Sequence, residues 1–445
     1  GYGASGRGQG SLWDGIRACN TLIANIDQAL DMTQVEKNTW KAEATVLKAY
    51  YHFLLLNYYG PIPIVDVNLP IDASDEELRV HRNTVDEVVN YILNTLDLSI
   101  SDLPERVTGS NDLGRMDQVI AHAIKSKVSL YAASPLFNGN SEFYSDFLNH
   151  ESVHFFNQNN EISKWETAAI AAEDAIAAAL AQGAELYKYT GSVPSHDQSN
   201  FQYTTIRTLY DIKYSIVDKW NSEVLWGDSN PVNDWWRLQS GALMKDPTAS
   251  SVQAAWQWVA PTMRMAELYY TENGLPIDED LMHDFSDKFS TVRVSSSQKM
   301  YALPGLTTAK LHLHREPRFY SSIGFDSGQY RAWGELWNLR MKKGQTHGRI
   351  ANSSDYLITG FSLKKLVHPD SEGDAYDKLI RYPWPNARLA ELYLNYAEAV
   401  NEAYGPSQAV YDALNVVRSR AGIPDVEVVW SDGNLAKNVN KHTTQ

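Results

Sequence analysis

The sequence predicts a mainly α-helical protein that carries a large loop-rich insertion. Three observations support this fold class: helical periodicity with clear start and stop signals in the first 183 residues, two further helical runs between 386 and 421, and loss of periodicity between these parts. With 445 residues, 43% of them hydrophobic, the chain is long enough to bury a sizeable core. We expect a single compact unit with a helical scaffold and a few short strands.

Residues 1–183 are predicted to form the N-terminal helical scaffold. Helical runs separated by turn residues cover 34–59, 85–100, 116–133 and 163–182. Thr84, with Glu87 three residues later, forms a capping box that opens the second of these runs. The last run is nearly all small residues after Trp165, a pattern typical of tetratricopeptide helices, in which a large residue packs against alanines of a neighbouring helix.

Residues 386–445 are predicted to form a C-terminal helical hairpin and tail. Runs at 386–404 and 407–421 are separated by Gly405 and Pro406, so a tetratricopeptide-like hairpin is expected. In residues 184–385, apolar and polar residues alternate only in short pieces, such as 311–313 and 356–361. We interpret this middle region as loop-rich and ligand-binding, because loops on rigid scaffolds commonly carry binding sites.

Charge and cysteine content narrow the class of partner. The formal net charge is −15 and no basic run is sustained, which argues against nucleic acid and favours a neutral ligand or a protein. The single cysteine, Cys19, lies on an apolar helical face and is predicted to be buried. No apolar run reaches the roughly 20 residues of a membrane span.

Six of the 13 tryptophans lie between Trp220 and Trp258, where periodicity is lost. Tryptophans on loops either fill a core or present flat apolar faces to a ligand. Trp220 and Trp226 flank the short apolar piece EVLW and are interpreted as structural. The remaining four are candidates for a binding surface.

Five separated segments resemble, in family order, landmarks of the SusD-like (RagB/SusD) outer-membrane nutrient-binding lipoproteins of Bacteroidetes. They are AEATVLKAYYHFLLLNYYGPIPIV at 42–65, GRMDQVIAHAIKSKVSLYAASPLFN at 114–138, YYTENGLPIDED at 269–280, REPRFYSSIGF at 315–325, and RLAELYLNYAEAVNE with LNVVRSRAGIP within 388–424. The resemblance implies a helical scaffold with a loop-rich ligand face, a lipid anchor at the outer membrane, surface exposure, and a SusC-like TonB-dependent transporter as partner.

Two departures from the family pattern concern the chain ends. Family members begin with a signal peptide and a lipidated cysteine, and they continue after the segment at 420–422 with an Arg/Glu-rich helix, whereas residues 425–445 here are polar chain. We therefore expect the sequence to be shortened at both ends.

Sugar-contacting residues vary within this family, so no motif identifies them. We therefore infer candidate contacts from the chemistry of the side chains. A pyranose ring has an apolar C–H face and a rim of hydroxyls, which match a tryptophan face and polar side chains respectively. The predicted aromatic platform comprises Trp235, Trp236, Trp256, Trp258, Tyr330, Trp333 and Trp337. The predicted polar contacts are Asn233, Asp234, Arg237 and Arg331. Trp333 and Trp337 are four residues apart, on one face of an expected short helix, and for each tryptophan pair core packing remains the alternative.

No catalytic residues, metal site or cofactor are predicted. His312 and His314 flank Leu313, which is the wrong spacing for a helical metal pair. The acidic residues Asp278, Glu279, Asp280 and Asp284 leave a structural calcium ion as an alternative, although the run lacks the glycine and closing glutamate of an EF-hand.

The resulting prediction is a non-catalytic protein that binds an oligosaccharide or polysaccharide at the cell surface and delivers it to the transporter. A helical glycan-cleaving enzyme, a pure protein-interaction scaffold and a peptide-binding member of the same family remain alternatives. The sequence does not identify the glycan or the oligomeric state.

Overall fold

The computed structural model describes residues 11–194, 197, 203–229, 256–332, 335–349, 354–371 and 379–444. The chain divides into two compact units. Unit 1 contains the chain up to Glu185, Leu225–Gly227 and Asn386–Val410, and unit 2 contains Leu186–Val224, Asp228–Pro385 and the chain from Tyr411. This division differs from the three consecutive segments expected from the sequence, because residues 386–410 return to unit 1.

Unit 1 is helical, and this part of the predicted mainly α fold is confirmed. Its helices are α1 (Leu12–Asn25), α2 (Gln34–Tyr59), α3 (Val85–Ile100), α4 (Gln118–Ala133), the single turn α5 (Ser141–Tyr144), α6 (Ile162–Ala181) and α10 (Leu389–Tyr404). Capping boxes open α1, α2 and α3, including the predicted pair Thr84 and Glu87. These caps satisfy backbone N–H groups that have no partner within the helix, and so fix where each helix begins.

Only some of the residues of unit 1 that were expected in the core are buried. Trp165 is buried and Cys19 is buried, as expected. Trp226 is also buried, with its ring 4.7 Å from that of Tyr50, which agrees with a structural role. The helical spacing of residues 34–59 places Trp40 on the apolar face and so predicts burial in the core, but Trp40 is 44% exposed, and the Arg115 guanidinium lies 4.9 Å from its ring. A cation over an indole face explains how this ring is accommodated at the surface.

The alanines of α6 allow close helix packing. Helix α6 packs against both α4 and α10, and Ala172, Ala175 and Ala179 are fully buried. Because a methyl side chain keeps the helix axes close, a larger residue at these positions has no space.

We expect Ala172→Leu to lower the free energy of unfolding by ~2 to 3 kcal/mol through overpacking. The matched control is Ala177→Leu on the exposed face of the same helix, which is expected to change it by less than ~0.5 kcal/mol. Urea denaturation monitored by circular dichroism measures both, and equal effects would contradict the packing argument.

Unit 2 combines short helices and strands. The helices are α7 (Tyr203–Val217), α8 (Met263–Leu268), α9 (Pro317–Ser322) and α12 (Val426–Ser431), and α11 (Gln408–Arg420) falls mainly in this unit. The strands of the described chain are β1 (Val224–Asp228), β2 (Thr291–Arg293), β3 (Thr307–Ala309), β4 (Ile323–Gly324), β5 (Gln329–Ala332), β6 (Glu335–Asn338), β7 (Ser362–Leu363) and β8 (Trp384–Arg388). In unit 2, β2 pairs with β3, β4 with β7 and β5 with β6, all antiparallel.

Two of the short alternating pieces in the middle region do not form strands, and one long helix there was not expected from the sequence. The piece at 311–313 lies in a 3₁₀ helix, Lys310–His312, rather than a strand. Residues 356–361 form turns that precede β7. The 15-residue helix α7 was not predicted, because its polar and aromatic residues disguise the apolar spacing of Ile206, Leu209 and Ile216.

The C-terminal segment is folded rather than a polar tail. Val429 of α12 packs with Leu275 and Ala436 in a small core, and Ala436 forms a β-bridge with Asp280. The apolar residues of VEVVW are therefore buried in part, which the polar composition of the final residues obscured. Within the described ranges, none of the helices combines the length and apolar character needed to cross a membrane.

Candidate functional site

A pocket in unit 2 is the best candidate for a binding site. Its cavity has a volume of about 280 Å³, near the lower end of the ~300 to 1,000 Å³ typical of ligand pockets. Tyrosines and charged side chains dominate its wall, which includes Tyr189, Tyr210, Tyr214, Tyr320, Tyr330, Lys213, Arg331, Lys364 and Asp370. We refer to it as the tyrosine pocket.

Helix α7 supplies one wall of the tyrosine pocket. Leu209 and Tyr210 anchor the helix in the core, and both line the cavity together with Lys213 and Tyr214. The i, i+3, i+4 spacing of Tyr210, Lys213 and Tyr214 places these three on adjacent positions of one helical face. The predicted platform contained tryptophans and, among the tyrosines, Tyr330 alone, so it missed these residues; the pattern YDIKY was the available signal.

Aromatic contacts hold three of the tyrosines in one group. The ring of Tyr214 lies 4.4 Å from that of Tyr189 and 5.9 Å from that of Tyr210, with the latter pair stacked at 10°. Tyr210 is buried, whereas Tyr189 and Tyr214 are partly exposed. The pocket thus offers two accessible aromatic rings supported from behind by a buried one.

Two lysines bring amino groups to the pocket. Lys364 donates hydrogen bonds to the backbone oxygens of Tyr320, at 2.7 Å, and Gln329, at 3.1 Å, and Lys213 donates to the backbone oxygen of Lys364. Neither forms an ion pair with another described residue. Burial lowers the pKa of Lys364 to about 7, with a contribution from the charge of Arg331, and burial lowers that of Lys213 well below its ordinary value.

Arg331 is fixed by a buried carboxylate. Its Nε lies 3.1 Å from both carboxylate oxygens of Asp197, and the hydroxyl of Tyr210 donates to the same carboxylate at 2.9 Å. Burial raises the pKa of Tyr210 above its ordinary value, as does the Asp197 charge. The Tyr210 hydroxyl therefore stays protonated, and the three side chains form a preorganised polar wall.

Tyr330, Arg331 and Trp337 are the predicted site residues that lie at or beside the tyrosine pocket. Tyr330 and Arg331 line it, and Trp337 packs behind Tyr330 with ring centroids 4.9 Å apart. Trp337 lies in strand β6, opposite Tyr330 of β5, so the expected short helix is wrong. Cross-strand pairing, rather than helical spacing, brings these aromatic residues together.

Trp256 and Trp258 form a separate aromatic pair that does not line the tyrosine pocket. Their ring centroids are 4.7 Å apart at an angle of 44°, and Trp258 is half exposed. The indole N–H of Trp258 donates to the carboxylate of Asp355 at 2.9 Å. The two rings therefore contact each other at a tilt rather than forming one flat platform.

The remaining predicted contacts lie outside the described residues. These are Trp235, Trp236, Trp333, Asn233, Asp234 and Arg237. Their role in ligand binding stays a prediction.

The histidines and acidic residues considered from sequence have distinct environments. His312 is buried against the rings of Phe325 and Phe361, so its role is in the core. Glu279 accepts hydrogen bonds from Asn438 and Lys441, and Asp280 from Thr271, Asn273 and the backbone of Met282. The carboxylates of Glu279 and Asp280 thus accept hydrogen bonds from neighbouring segments of the chain.

Two family profiles match the chain. The profile described as the SusD family matches residues 222–444, and the profile described as starch-binding associating with outer membrane matches residues 10–130. No curated protein is similar enough to count as a match.

Solved structures provide a second comparison. The protein named BT4246 is 30% identical, with a TM-score of 0.78, and the match covers 93% of this chain and 72% of that one. A SusD-like protein from Bacteroides fragilis is 19% identical, with a TM-score of 0.65 and coverage of 93% and 67%. A SusD-like carbohydrate binding protein from the same organism is 17% identical, with a TM-score of 0.58 and coverage of 93% and 65%. The mainly helical fold with short strands is common to these proteins.

Proposed function

The chain belongs to the SusD family, and from this premise we propose that it is a non-catalytic protein that binds an oligosaccharide in the tyrosine pocket. The observation that carries the proposal is the combination, in one cavity, of accessible aromatic rings with amino, guanidinium and hydroxyl groups. Aromatic faces match the C–H face of a sugar ring, and the polar groups match its hydroxyls.

The size of the pocket implies weak binding. If each of two or three tyrosine rings removes ~100 Å² of apolar surface from water, the gain is about 2 to 3 kcal/mol per ring. Association itself costs ~4 kcal/mol or more. The remainder of about 0 to 5 kcal/mol corresponds to roughly millimolar or weaker affinity, so we expect weak binding of an oligosaccharide with no measurable affinity for a single sugar.

We place this binding at the cell surface. The family profile at residues 10–130 is described by association with the outer membrane. From the family we further propose a lipid anchor and a SusC-like TonB-dependent transporter that receives the bound oligosaccharide. Co-purification of the transporter with the intact protein from outer membranes tests this partnership.

The pocket is tested by affinity electrophoresis against a panel of polysaccharides. Tyr214→Ala and Tyr189→Ala are expected to weaken retardation by the bound polysaccharide at least tenfold, because each removes an accessible ring. Tyr59→Ala, at a half-exposed tyrosine of unit 1, is the matched control and is expected to bind as the unmodified protein does.

Four outcomes would contradict parts of the proposal. Unchanged retardation of both pocket variants would show that the tyrosine pocket is not the binding site. Loss of retardation in Trp258→Ala alone would assign the site to the Trp256 and Trp258 pair instead. An absence of retardation by every polysaccharide would overturn carbohydrate binding. Sustained release of new reducing ends would replace the binding function by glycan cleavage.

A further inference from the structure

Three side chains from separate segments converge at one place in unit 2, and none of them lines the tyrosine pocket. The carboxylate oxygen Oε1 of Glu272 lies 2.8 Å from Nδ1 of His314 and 3.1 Å from Nε2 of His283. The imidazole rings of the two histidines are stacked, with centroids 4.3 Å apart. Among the described residues, this is the one group of three histidine, cysteine or acidic side chains whose ligand atoms all lie within 4.8 Å of one another.

Backbone pairing brings two of the three together, Glu272 and His314. Thr271 and Arg315 form an antiparallel β-bridge, and the Glu272 N–H donates to the His314 backbone oxygen at 3.0 Å. His314 has a φ of 56°, in the left-handed region. Because the flanking Arg315 is fully buried, the backbone at His314 is held in place, and its imidazole turns toward Glu272.

The donor set is chemically suited to a transition metal. Two imidazole nitrogens and one carboxylate oxygen are ligands that Zn²⁺ accepts, with bonds of roughly 2.0 to 2.2 Å, and they leave a fourth position for water. Hard cations such as Ca²⁺ and Mg²⁺ prefer six or more oxygen ligands, which this group does not offer. Tetrahedral coordination requires the ligand atoms to spread to roughly 3.3 Å and the rings to tilt apart. His283 and His314 are only partly buried, so both can make this adjustment.

We propose that Glu272, His283 and His314 form a binding site for Zn²⁺ or a chemically similar divalent transition metal. The bound ion cross-links the segments at 272, 283 and 314, which the chain otherwise joins by a single β-bridge and side-chain hydrogen bonds. Its role is structural, and it does not depend on the proposed oligosaccharide binding.

The site is tested by isothermal titration of the EDTA-treated and dialysed chain with ZnCl₂, and with CoCl₂ followed by visible absorption. We expect one ion per chain and, at about 100 µM zinc, a rise in melting temperature of ~3 °C or more. CaCl₂ and MgCl₂ are expected to give neither effect.

Variants separate this site from adventitious binding. His283→Gln and Glu272→Gln are expected to weaken zinc binding at least tenfold. Loss of a residue that only hydrogen-bonds to a metal ligand already weakens metal affinity by ~10 to 100-fold, and loss of a ligand itself weakens it by no less. His81→Gln is the matched control, because His81 stacks on His150 at 4.7 Å but the described chain provides no such third ligand there.

Two results would overturn the proposal. The first is the absence of zinc binding at about 100 µM, and the second is binding that persists in both His283→Gln and Glu272→Gln. The tetrahedral or five-coordinate cobalt absorption bands report on coordination directly, so a variant with altered stability is still informative.

Discussion

Arg315→Met is expected to lower the free energy of unfolding of unit 2 by about 3 to 5 kcal/mol. The Arg315 side chain is fully buried, and its guanidinium donates to the backbone oxygens of Leu311, at 2.8 Å, Ala266, at 2.8 Å, and Tyr269. Its guanidinium also lies 4.7 Å from the ring of Phe319. Methionine fills much of the volume but leaves several buried carbonyl groups without a donor.

The measurement is chemical denaturation followed by tryptophan fluorescence. Arg264→Met is the control, because the Arg264 side chain is 76% exposed and lies 3.9 Å from Glu267. It is expected to change the free energy of unfolding by less than ~0.5 kcal/mol. A loss below ~1 kcal/mol for Arg315→Met would mean that the neighbouring carbonyl groups find other donors.

Acidification from about pH 7 to about pH 5 is expected to lower the free energy of unfolding by ~2 kcal/mol through each of His52, His312 and His347, or by about 6 kcal/mol through the three together. Burial lowers the pKa of His52 and His347 to about 4 and that of His312 to about 3, from an ordinary value of 6.5. The unfolded chain therefore binds more protons than the folded chain below pH 6.5. Stability is unaffected by these groups above that pH and falls as the pH decreases toward 4.

His312→Gln isolates one of these contributions. Glutamine does not titrate, and it keeps a polar group near Thr308, whose hydroxyl lies 2.7 Å from Nδ1 of His312. Between the same two pH values, the free energy of unfolding of the variant is expected to fall by ~2 kcal/mol less than that of the unmodified protein. His81→Gln, at an exposed histidine, is expected to leave the pH dependence unchanged, and urea denaturation at both pH values distinguishes the three proteins.

The helices of unit 1 could be predicted because their signals are local. The Thr84 and Glu87 capping box and the alanines after Trp165 each act within a few residues, so the sequence contains the whole cause. Trp40 is an exception. Its partner Arg115 is 75 positions away in sequence, and no periodicity reveals that pairing.

The candidate sites depend on contacts that no short motif encodes. Tyr189, Tyr214 and Lys364 meet only after α7 and the segment around 364 have packed in unit 2. Glu272, His283 and His314 have irregular separations in sequence, so no motif spacing predicts that they meet. The short spacing of His312 and His314 points to a different pair of histidines, of which only His314 belongs to the group. Aromatic residues outside the tryptophans also received too little weight, although tyrosine provides both a ring face and a hydroxyl.

The division of the chain also has a consequence for how the protein is made. The chain passes from one unit to the other after Glu185, Val224, Gly227, Pro385 and Val410. Helix α6 exposes its alanine face until α10 has been synthesised more than 200 residues later, because α10 covers part of that face. Unit 1 therefore cannot complete its core during early translation, and a nascent chain stopped before residue 389 is expected to bind chaperones that recognise exposed apolar helices.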